Sequence, residues 1–236
     1  MRSYLDSEEF QNAVKNVNAD SDFKYHSRFD PVPPEHMLCD SADGCEEKPR
    51  LLMIIGPNGS GKSSIVSGSG ICRAYNYNIV NPDNYARGLP EIKDVNERYL
   101  FALEKCDEIK ARLLKDHTSF GLETVGSTKE KIDFAENAID NGYTIDLLFV
   151  TLKAPELNIE RIGKRVLKGG HDVDPEKVVA RYGRAMNNLH KFIELADRAD
   201  VYDNSGDRPQ RVLVKENDVC RFLADSSAHD WIKKYL

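Results

Sequence analysis

The sequence predicts an α/β fold with a doubly wound, mostly parallel sheet, and three observations support this. An apolar run at residues 51–55 leads directly into a glycine-rich loop and the start of a helix. From residue 51 onward, strand-like and helix-like segments alternate, as a parallel sheet with crossover helices requires. Residues 143–152 form a nearly continuous apolar run, which is typical of a strand buried on both faces of a parallel sheet.

Short apolar runs bounded by polar or turn residues predict the strands. In chain order they cover residues 51–55, 77–80, 119–123, 143–152, 199–203 and 212–215, and the last is expected at the sheet edge. In such sheets, ligands bind at the carboxyl ends of the strands. Functional side chains are therefore expected just after the strands.

Apolar periodicity and capping residues predict the helices. Ser127 and Glu130 have the spacing of a capping box, Pro155 suits a first helical position, and Asp174 suits an N-cap. The predicted helices cover residues 62–67, 94–115, 128–141, 155–168, 175–195 and the tail, 218–236.

The chain is expected to divide into an appendage and one larger domain. Residues 1–50 contain eleven acidic and six basic residues and several prolines, and they predict a short helix at 4–18 and a loop at 27–50. Residues 51–236 form the expected main domain, with a lid around residues 155–195.

Composition narrows the class of protein and its partners. The 236 residues carry a formal net charge of −6, so no chain-wide basic surface for nucleic acid is expected. No apolar stretch is long enough to span a membrane, and the N-terminus lacks a signal-peptide core. The five cysteines have no metal-binding or disulfide spacing. A cytoplasmic protein without a membrane partner is therefore expected.

The glycine-rich loop has the spacing of a phosphate-binding P-loop, G-x-x-x-x-G-K-S. Its residues are Gly56, Pro57, Asn58, Gly59, Ser60, Gly61, Lys62 and Ser63, and Ser64 follows in the helix. In this motif, backbone N–H groups and the helix N-terminus surround phosphates. Lys62 is expected on the β- and γ-phosphates and Ser63 on Mg²⁺. The sequence thus predicts ATP and Mg²⁺ as cofactors.

Three acidic residues follow predicted strands, where ligands are expected. Asp83 is a candidate general base that accepts a hydroxyl proton during phosphoryl transfer, although a turn-capping role also fits. Glu123, next to Thr124, is a candidate for binding an acceptor hydroxyl or a metal-bound water. Asp203 begins a turn that is expected near the nucleotide base, and Asn204 is a candidate nucleotide contact.

Four arginines mark the candidate lid. Arg161 and Arg165 share one helix face, and Arg181 and Arg184 share another. The segment between the two helices contains Gly169 and Gly170, a glycine hinge of the kind that mobile lids use. Lid closure would bring guanidinium groups onto the transferring phosphate. Solvated helix faces with surface ion pairs are the alternative for any one arginine.

Together these segments resemble the zeta toxin family of P-loop kinases, in the branch often described as predicted ABC-type ATPases. The resemblance covers roughly residues 51–206 and rests on the P-loop, Asn81-Pro82-Asp83, Glu123-Thr124, the Gly169-Gly170-His171-Asp172-Val173 stretch with Arg181-Tyr182, and Tyr202-Asp203-Asn204-Ser205. It implies a P-loop kinase fold with a helical lid and an N-terminal appendage.

The resemblance also implies an activity. Well-known members are toxins of bacterial toxin–antitoxin pairs that use ATP and Mg²⁺ to phosphorylate a hydroxyl of UDP-N-acetylglucosamine. By matching motifs, Asp83 would be the base, Glu123 and Thr124 would bind the acceptor, and the lid arginines would bind phosphate. An antitoxin protein would be a partner. The alternatives are a polynucleotide or tRNA kinase, and an ATP-binding regulatory or assembly module with little turnover.

Overall fold

A seven-stranded sheet organises the chain. The computed structural model describes residues 48–69, 78–167, 172–216, 219–223 and 229–236. The strands are β1 (Arg50–Ile55), β2 (Ile79–Val80), β3 (Phe120–Thr124), β4 (Thr144–Thr151), β5 (Arg198–Asp203), β6 (Gln210–Glu216) and β7 (Val219–Phe222). They lie in the order β2-β3-β1-β4-β5-β6-β7, and the first five are parallel while β6 and β7 are antiparallel to their neighbours. The predicted α/β class with a mostly parallel sheet is confirmed.

Helices follow most of the parallel strands. They are α1 (Lys62–Ser69), α2 (Pro82–Arg87), α3 (Val95–Lys115), α4 (Lys129–Asp140), α5 (Pro155–Val166), α6 (Pro175–Leu195) and α7 (Asp230–Lys233). The predicted N-cap Asp174 is present, since its side chain accepts from the N–H of Glu176. Asp94, predicted as the first helical residue, is instead the N-cap of α3, and its side chain accepts from the N–H of Glu97. None of the described helices is long and apolar enough to cross a membrane.

The core lies on both faces of the sheet. On one face, alternate residues of the central strands pack with α3, α4 and α6 in the larger cluster, which includes Met53, Phe120 and Phe192. On the other face, Leu52, Ile54 and their neighbours pack with α1. Because β4 is buried along nearly its whole length, its sequence is apolar on both faces, as predicted.

The C-terminal region differs from the prediction in two respects. The tail is predicted to be helical, but residues 219–222 form β7, and of the residues that the structure describes from 219 onward only 230–233 are helical. The strand predicted at the edge, β6, lies inside the sheet because β7 pairs with it. A four-residue strand carries too little periodicity to be recognised from sequence, and its pairing with β6 stabilises it.

Helix α4 begins one residue later than the capping-box pattern indicated. Thr128 occupies the N-cap position and makes no side-chain capping hydrogen bond, and Ser127 is buried before the helix. The predicted N-terminal helix and loop, up to residue 47, and the glycine hinge at 169–170 lie outside the described residues.

Tyr143 is expected to contribute measurably to stability. Its hydroxyl lies 2.7 Å from the carbonyl oxygen of Leu113 and 2.9 Å from that of Thr118, so it links β4 to the end of α3. Tyr143→Phe should lower the free energy of unfolding by about 1–2 kcal/mol, because one partner of a buried hydrogen bond is lost. Urea denaturation measures this, and an unchanged midpoint would contradict it.

Candidate active site

The P-loop joins β1 to α1 at the carboxyl edge of the sheet, and its backbone requires glycine. Gly56 has φ +153° and an added Cβ would lie 1.9 Å from the carbonyl oxygen of Val150 in β4. Gly59 has φ +78°, and a Cβ there would lie 2.7 Å from the carbonyl oxygen of Asn158. The loop therefore passes too close to neighbouring backbone for any larger residue.

Lys62 lies under the loop as a buried cation. Its side chain folds back so that Nζ donates to the carbonyl oxygens of Gly56 at 2.7 Å and Pro57 at 3.2 Å. Burial lowers the pKa of Lys62, while the negative charges of Glu123 and Asp83 oppose this shift and the positive charge of Arg165 adds to it. A buried ammonium group whose hydrogen-bond partners are neutral carbonyl oxygens is suited to receive an anion.

Glu123 connects the P-loop to the segment after β2. Because β3 pairs with β1, Glu123 lies in register with Ile54 at the carboxyl edge. Its Oε1 accepts from the Ser63 hydroxyl at 2.9 Å, and its Oε2 accepts from Asn81 Nδ2 at 3.1 Å. The carboxylate therefore contacts the first turn of α1 and the start of α2 at the same time.

Asp83 lies in the first turn of α2 and is exposed. Its backbone N–H donates to Asn81 Oδ1 at 2.8 Å, so Asn81 caps α2 and also binds Glu123. The capping side chain is thus Asn81, and the exposed Asp83 carboxylate is not used as the cap. The negative charge of Asp83 also acts to raise the pKa of Lys62, against the effect of burial.

Three side chains hold the P-loop from its other side. Asn158 in α5 is fully buried and donates to the carbonyl oxygen of Asn58 at 2.6 Å. Asn204, just after β5, donates to the carbonyl oxygen of Ser60 at 2.8 Å. Arg161 Nη2 in turn donates to the carbonyl oxygen of Asn204 at 2.7 Å. The predicted turn after β5 therefore lies against the P-loop.

The four lid arginines have different environments. Arg161 donates a hydrogen bond to the Asn204 carbonyl oxygen and lies next to Gly61. Arg165 lies close enough to Lys62 for its positive charge to lower the pKa of Lys62. Arg181 on α6 lies within electrostatic range of Tyr99 on α3. Arg184 is exposed on α6. Arg161 and Arg165 are thus the two lid arginines near the loop.

The asparagines Asn81 and Asn158 were not recognised as site residues from sequence. Asn81 precedes Pro82 and Asp83, a turn-forming context that suits an N-cap, and this signal was available. Asn158 lies in the middle of a helix and has no local signal, because its role depends on the packing of α5 against the loop.

The loop has hydrogen-bond donors that could bind the phosphates of a nucleoside triphosphate. Among the described residues, the buried Oγ of Ser60 has no hydrogen-bond partner, and a hydroxyl can donate to a phosphate oxygen. Lys62 bonds only carbonyl oxygens of its own loop, which a phosphate would replace. Together with the helix N-terminus of α1, these groups suit an anion rather than a neutral ligand.

Asn204 is expected to support nucleotide binding by fixing the loop. Asn204→Ala removes the amide that holds the Ser60 carbonyl, so the Kd for an ATP analogue should rise by about two- to tenfold. Calorimetric titration measures it. Asn141→Ala is the matched control, because that amide also donates to a backbone carbonyl, at 2.7 Å, but lies at the end of α4. Equal affinities for both variants would contradict the role of Asn204.

Comparison with known proteins agrees with this geometry. The zeta toxin family model matches residues 38–219. A protein of Haemophilus influenzae, itself uncharacterized, is 26% identical over 141 residues, which are 56% of this chain and 92% of that protein.

Two solved structures share the fold at low sequence identity. The AvrRxo1-ORF1:AvrRxo1-ORF2 structure with ATP is 14% identical, has a TM-score of 0.65, and is matched over 95% of this chain and 68% of that one. The structure of the PezAT chromosomal toxin–antitoxin system of Streptococcus pneumoniae is 15% identical, has a TM-score of 0.54, and is matched over 100% and 90%. The chain belongs to the zeta toxin family and has the fold of its P-loop kinases.

Proposed function

We propose that this chain is a Mg²⁺-dependent kinase that transfers the γ-phosphoryl group of ATP to a hydroxyl of a small molecule, with a sugar nucleotide such as UDP-N-acetylglucosamine as the expected acceptor. The observation that carries the proposal is the convergence of Lys62, Ser63, Glu123 and Asp83 at one edge of the sheet. Family membership supports the class of reaction.

The P-loop would bind the triphosphate. The N–H groups of residues 56–64 and the positive end of α1 surround the phosphates in this role. Lys62 would exchange its loop carbonyls for phosphate oxygens, and the arriving negative charge would stabilise its buried ammonium form. Asn204, beside the loop, would border the nucleotide.

Magnesium fits the oxygen donors beside the loop. Mg²⁺ prefers oxygen ligands and keeps several waters, so few protein ligands are needed. The described residues contain no cluster of three or more His, Cys, Asp or Glu that could hold a metal alone. Ser63 would bind the ion, and Glu123, now bonded to Ser63, would accept from its waters. When bound, the ion would supply positive charge that offsets the negative charge of the phosphates.

Asp83 would act as the general base. Its carboxylate accepts the proton of the acceptor hydroxyl, the hydroxyl oxygen bonds to the γ-phosphorus, and the bond to the bridging oxygen breaks to release ADP. Glu123 and Thr124, at the end of the neighbouring strand, would hold the acceptor. Because Asn81 binds both Glu123 and the N–H of Asp83, it would keep the two carboxylates in a fixed relation.

The lid would supply positive charge to the reacting phosphoryl group. Arg165 and Arg181 are the best placed of the four arginines, since one affects the pKa of Lys62 and the other, on α6, lies within electrostatic range of Tyr99 on α3. Arg161 would act mainly by holding Asn204, and Arg184 would need lid movement to reach the phosphate. The domain carrying this site would be residues 51–236, with residues 1–50 as an appendage.

The biological role would be that of a toxin neutralised by an antitoxin protein. Solved relatives of the fold include a toxin–antitoxin system, which supports testing this role. We expect that expression of the chain arrests bacterial growth and that Lys62→Ala relieves the arrest. Arrest that persists in the variant at equal protein levels would argue against a toxin acting through its P-loop.

Measurement of ADP formation tests the proposed activity. With ATP and Mg²⁺, ADP release should rise when UDP-N-acetylglucosamine is added and should disappear when EDTA removes the metal. ATP binding without acceptor-dependent ADP release would reject this acceptor. If a panel of hydroxyl compounds and RNA also had no effect, an ATP-binding module would replace the kinase.

A further inference from the structure

Residues 229–236 are held in place by the main core. Ile232 in α7 is fully buried in the larger cluster, and Trp231 and Tyr235 pack against that cluster. His229, directly before α7, is also buried. Because core side chains are closely packed, this segment has a fixed position, and so does the imidazole ring at its start.

The His229 ring lies beside Asp203 at the carboxyl end of β5. Its Nε2 is 3.5 Å from Asp203 Oδ2, and the two side chains are only 9% and 8% exposed. A carboxylate accepts and does not donate, so Nε2 carries the proton that faces it. The other ring nitrogen, Nδ1, is buried and has no hydrogen-bond partner among the described residues. Asp203 is therefore the polar partner that the described structure gives to this ring.

The other oxygen of Asp203 shapes the turn after β5. Its Oδ1 accepts from the backbone N–H of Ser205 at 2.8 Å and also from the Ser205 hydroxyl. The Oγ of Ser205 in turn accepts from the N–H of Lys153, just after β4, at 2.7 Å. One carboxylate thus connects the turn, the end of β4 and the segment that begins at His229.

Asn204 lies within this turn and holds the P-loop. Its N–H donates to the carbonyl oxygen of Thr151 at 2.8 Å, and its side-chain amide donates to that of Ser60, also at 2.8 Å. The amide is so close to the loop that an added Cβ on Gly61 would lie 2.4 Å from it. A movement of the turn would therefore move the loop as well.

We propose that the contact between His229 and Asp203 sets the affinity of the P-loop for ATP. His229 is a positioning residue in this proposal: it contacts Asp203, Asp203 fixes the turn, and Asn204 in the turn fixes the loop. The proposal rests on the proposed binding of ATP. It adds a determinant of nucleotide affinity that lies outside the P-loop and the lid, in a segment without a recognisable motif.

The expected effect comes from preorganisation. A loop that is already held in one geometry loses less conformational freedom when its ligand binds. Without the His229 ring, Oδ2 of Asp203 would lack its nearly buried partner, and the turn would have to shift to bring the carboxylate to water. ATP binding would then have to order the turn and the loop again, although every group that contacts the phosphates is still present.

Calorimetric titration with a non-hydrolysable ATP analogue and Mg²⁺ tests the contact. The wild type is compared with His229→Ala, His229→Gln, Asp203→Ala and the double alanine variant, and circular dichroism verifies that each is folded. His190→Ala is the matched control. His190 Nε2 also lies beside a carboxylate oxygen, that of Glu194 at 2.9 Å, but this pair is exposed on α6 and does not involve the turn.

His229→Ala should raise the Kd for the analogue by about three- to tenfold, the effect of losing one polar contact. In turnover assays, its KM for ATP should rise by a larger factor than kcat falls. His229→Gln keeps an N–H donor and should restore much of the affinity. The double variant should bind no more weakly than Asp203→Ala, because both changes break the same contact. His190→Ala should bind as the wild type does.

Ile232→Val separates this contact from general stability. The residue is fully buried in α7, so loss of one methyl group should lower the melting temperature while His229 and Asp203 are kept. The Kd for the analogue should match that of the wild type. If Ile232→Val bound as weakly as His229→Ala, loosening of the segment would explain the effect and the proposal would be wrong.

The remaining outcomes distinguish this proposal from the kinase function. Wild-type affinity in His229→Ala, or losses in the two single variants that add up in the double variant, would overturn the role of the contact alone. A wild type that does not bind ATP would reject both proposals. Affinity that depends on His229 without phosphoryl transfer to any acceptor would retain the role of the contact and reject the kinase activity.

Discussion

Replacing Asp83 with Asn is expected to lower kcat for acceptor phosphorylation by about 10²- to 10⁴-fold, the usual contribution of a general base. Asn keeps the shape of the side chain and the backbone bond to Asn81, but it cannot take the hydroxyl proton. Because the exposed carboxylate lies on α2 and not within the loop, ATP affinity should change little.

Glu91→Gln is the matched control for Asp83→Asn. Glu91 is an exposed acid in the loop just after α2. The variant therefore removes the same charge without changing a residue of the candidate active site. Initial rates of product formation and calorimetric ATP titrations separate the two effects. Wild-type turnover in Asp83→Asn would exclude Asp83 as the base, and loss of ATP binding would assign it to the nucleotide.

Replacing Lys62 with Ala should lower the kinase activity by about 10²-fold or more, because a charge that stabilises the transferring phosphoryl group is lost. ATP affinity should also fall. The melting temperature of the nucleotide-free protein should stay the same or rise slightly. Burial lowers the pKa of Lys62, so without an anion its charged form is less stable in the folded chain than in the unfolded one.

The pKa shift of Lys62 also predicts how the difference in folding stability between the wild type and Lys62→Ala changes with pH. A lowered pKa in the folded state means that the wild type is destabilised most below that pKa and recovers as the pH rises toward the unfolded value. The stability of Lys62→Ala relative to the wild type should therefore be greatest below the lowered pKa and decline as the pH rises toward the unfolded value. Denaturant titrations across this range measure it.

Lys93→Ala is the control for the lysine variant. Its Nζ also donates to a backbone carbonyl, that of Pro90 at 3.3 Å, but it is exposed in the loop before α3. Activity, ATP affinity and melting temperature should all match the wild type. If Lys62→Ala retained both ATP binding and activity, the P-loop would not be the phosphate site.

Local chemistry explains which parts of the site were predictable. The spacing of Gly56, Gly61 and Lys62 predicts the loop because positive φ and close backbone approach admit only glycine. Asp83 and Glu123 were located because parallel strands place their carboxyl ends at one edge. These predictions depend only on the local sequence around each residue and on the rule that ligands bind at the carboxyl ends of parallel strands.

The missed features depend on contacts between distant segments. The bond between Glu123 and Ser63 requires β3 to pair directly with β1, which spacing along the chain does not indicate. Asn158 reaches the loop only because α5 packs over it. Strand β7 forms because β6 offers an edge, whereas its own four residues fit several structures.

Mass analysis of the acceptor after incubation with ATP, Mg²⁺ and the enzyme tests the central claim most directly. The account predicts that UDP-N-acetylglucosamine, or another hydroxyl-bearing nucleotide in a bacterial small-molecule extract, gains one phosphoryl group in step with ADP release. The Asp83→Asn enzyme should form almost none of this product. ADP formation that leaves every small molecule in the extract unmodified would contradict the account.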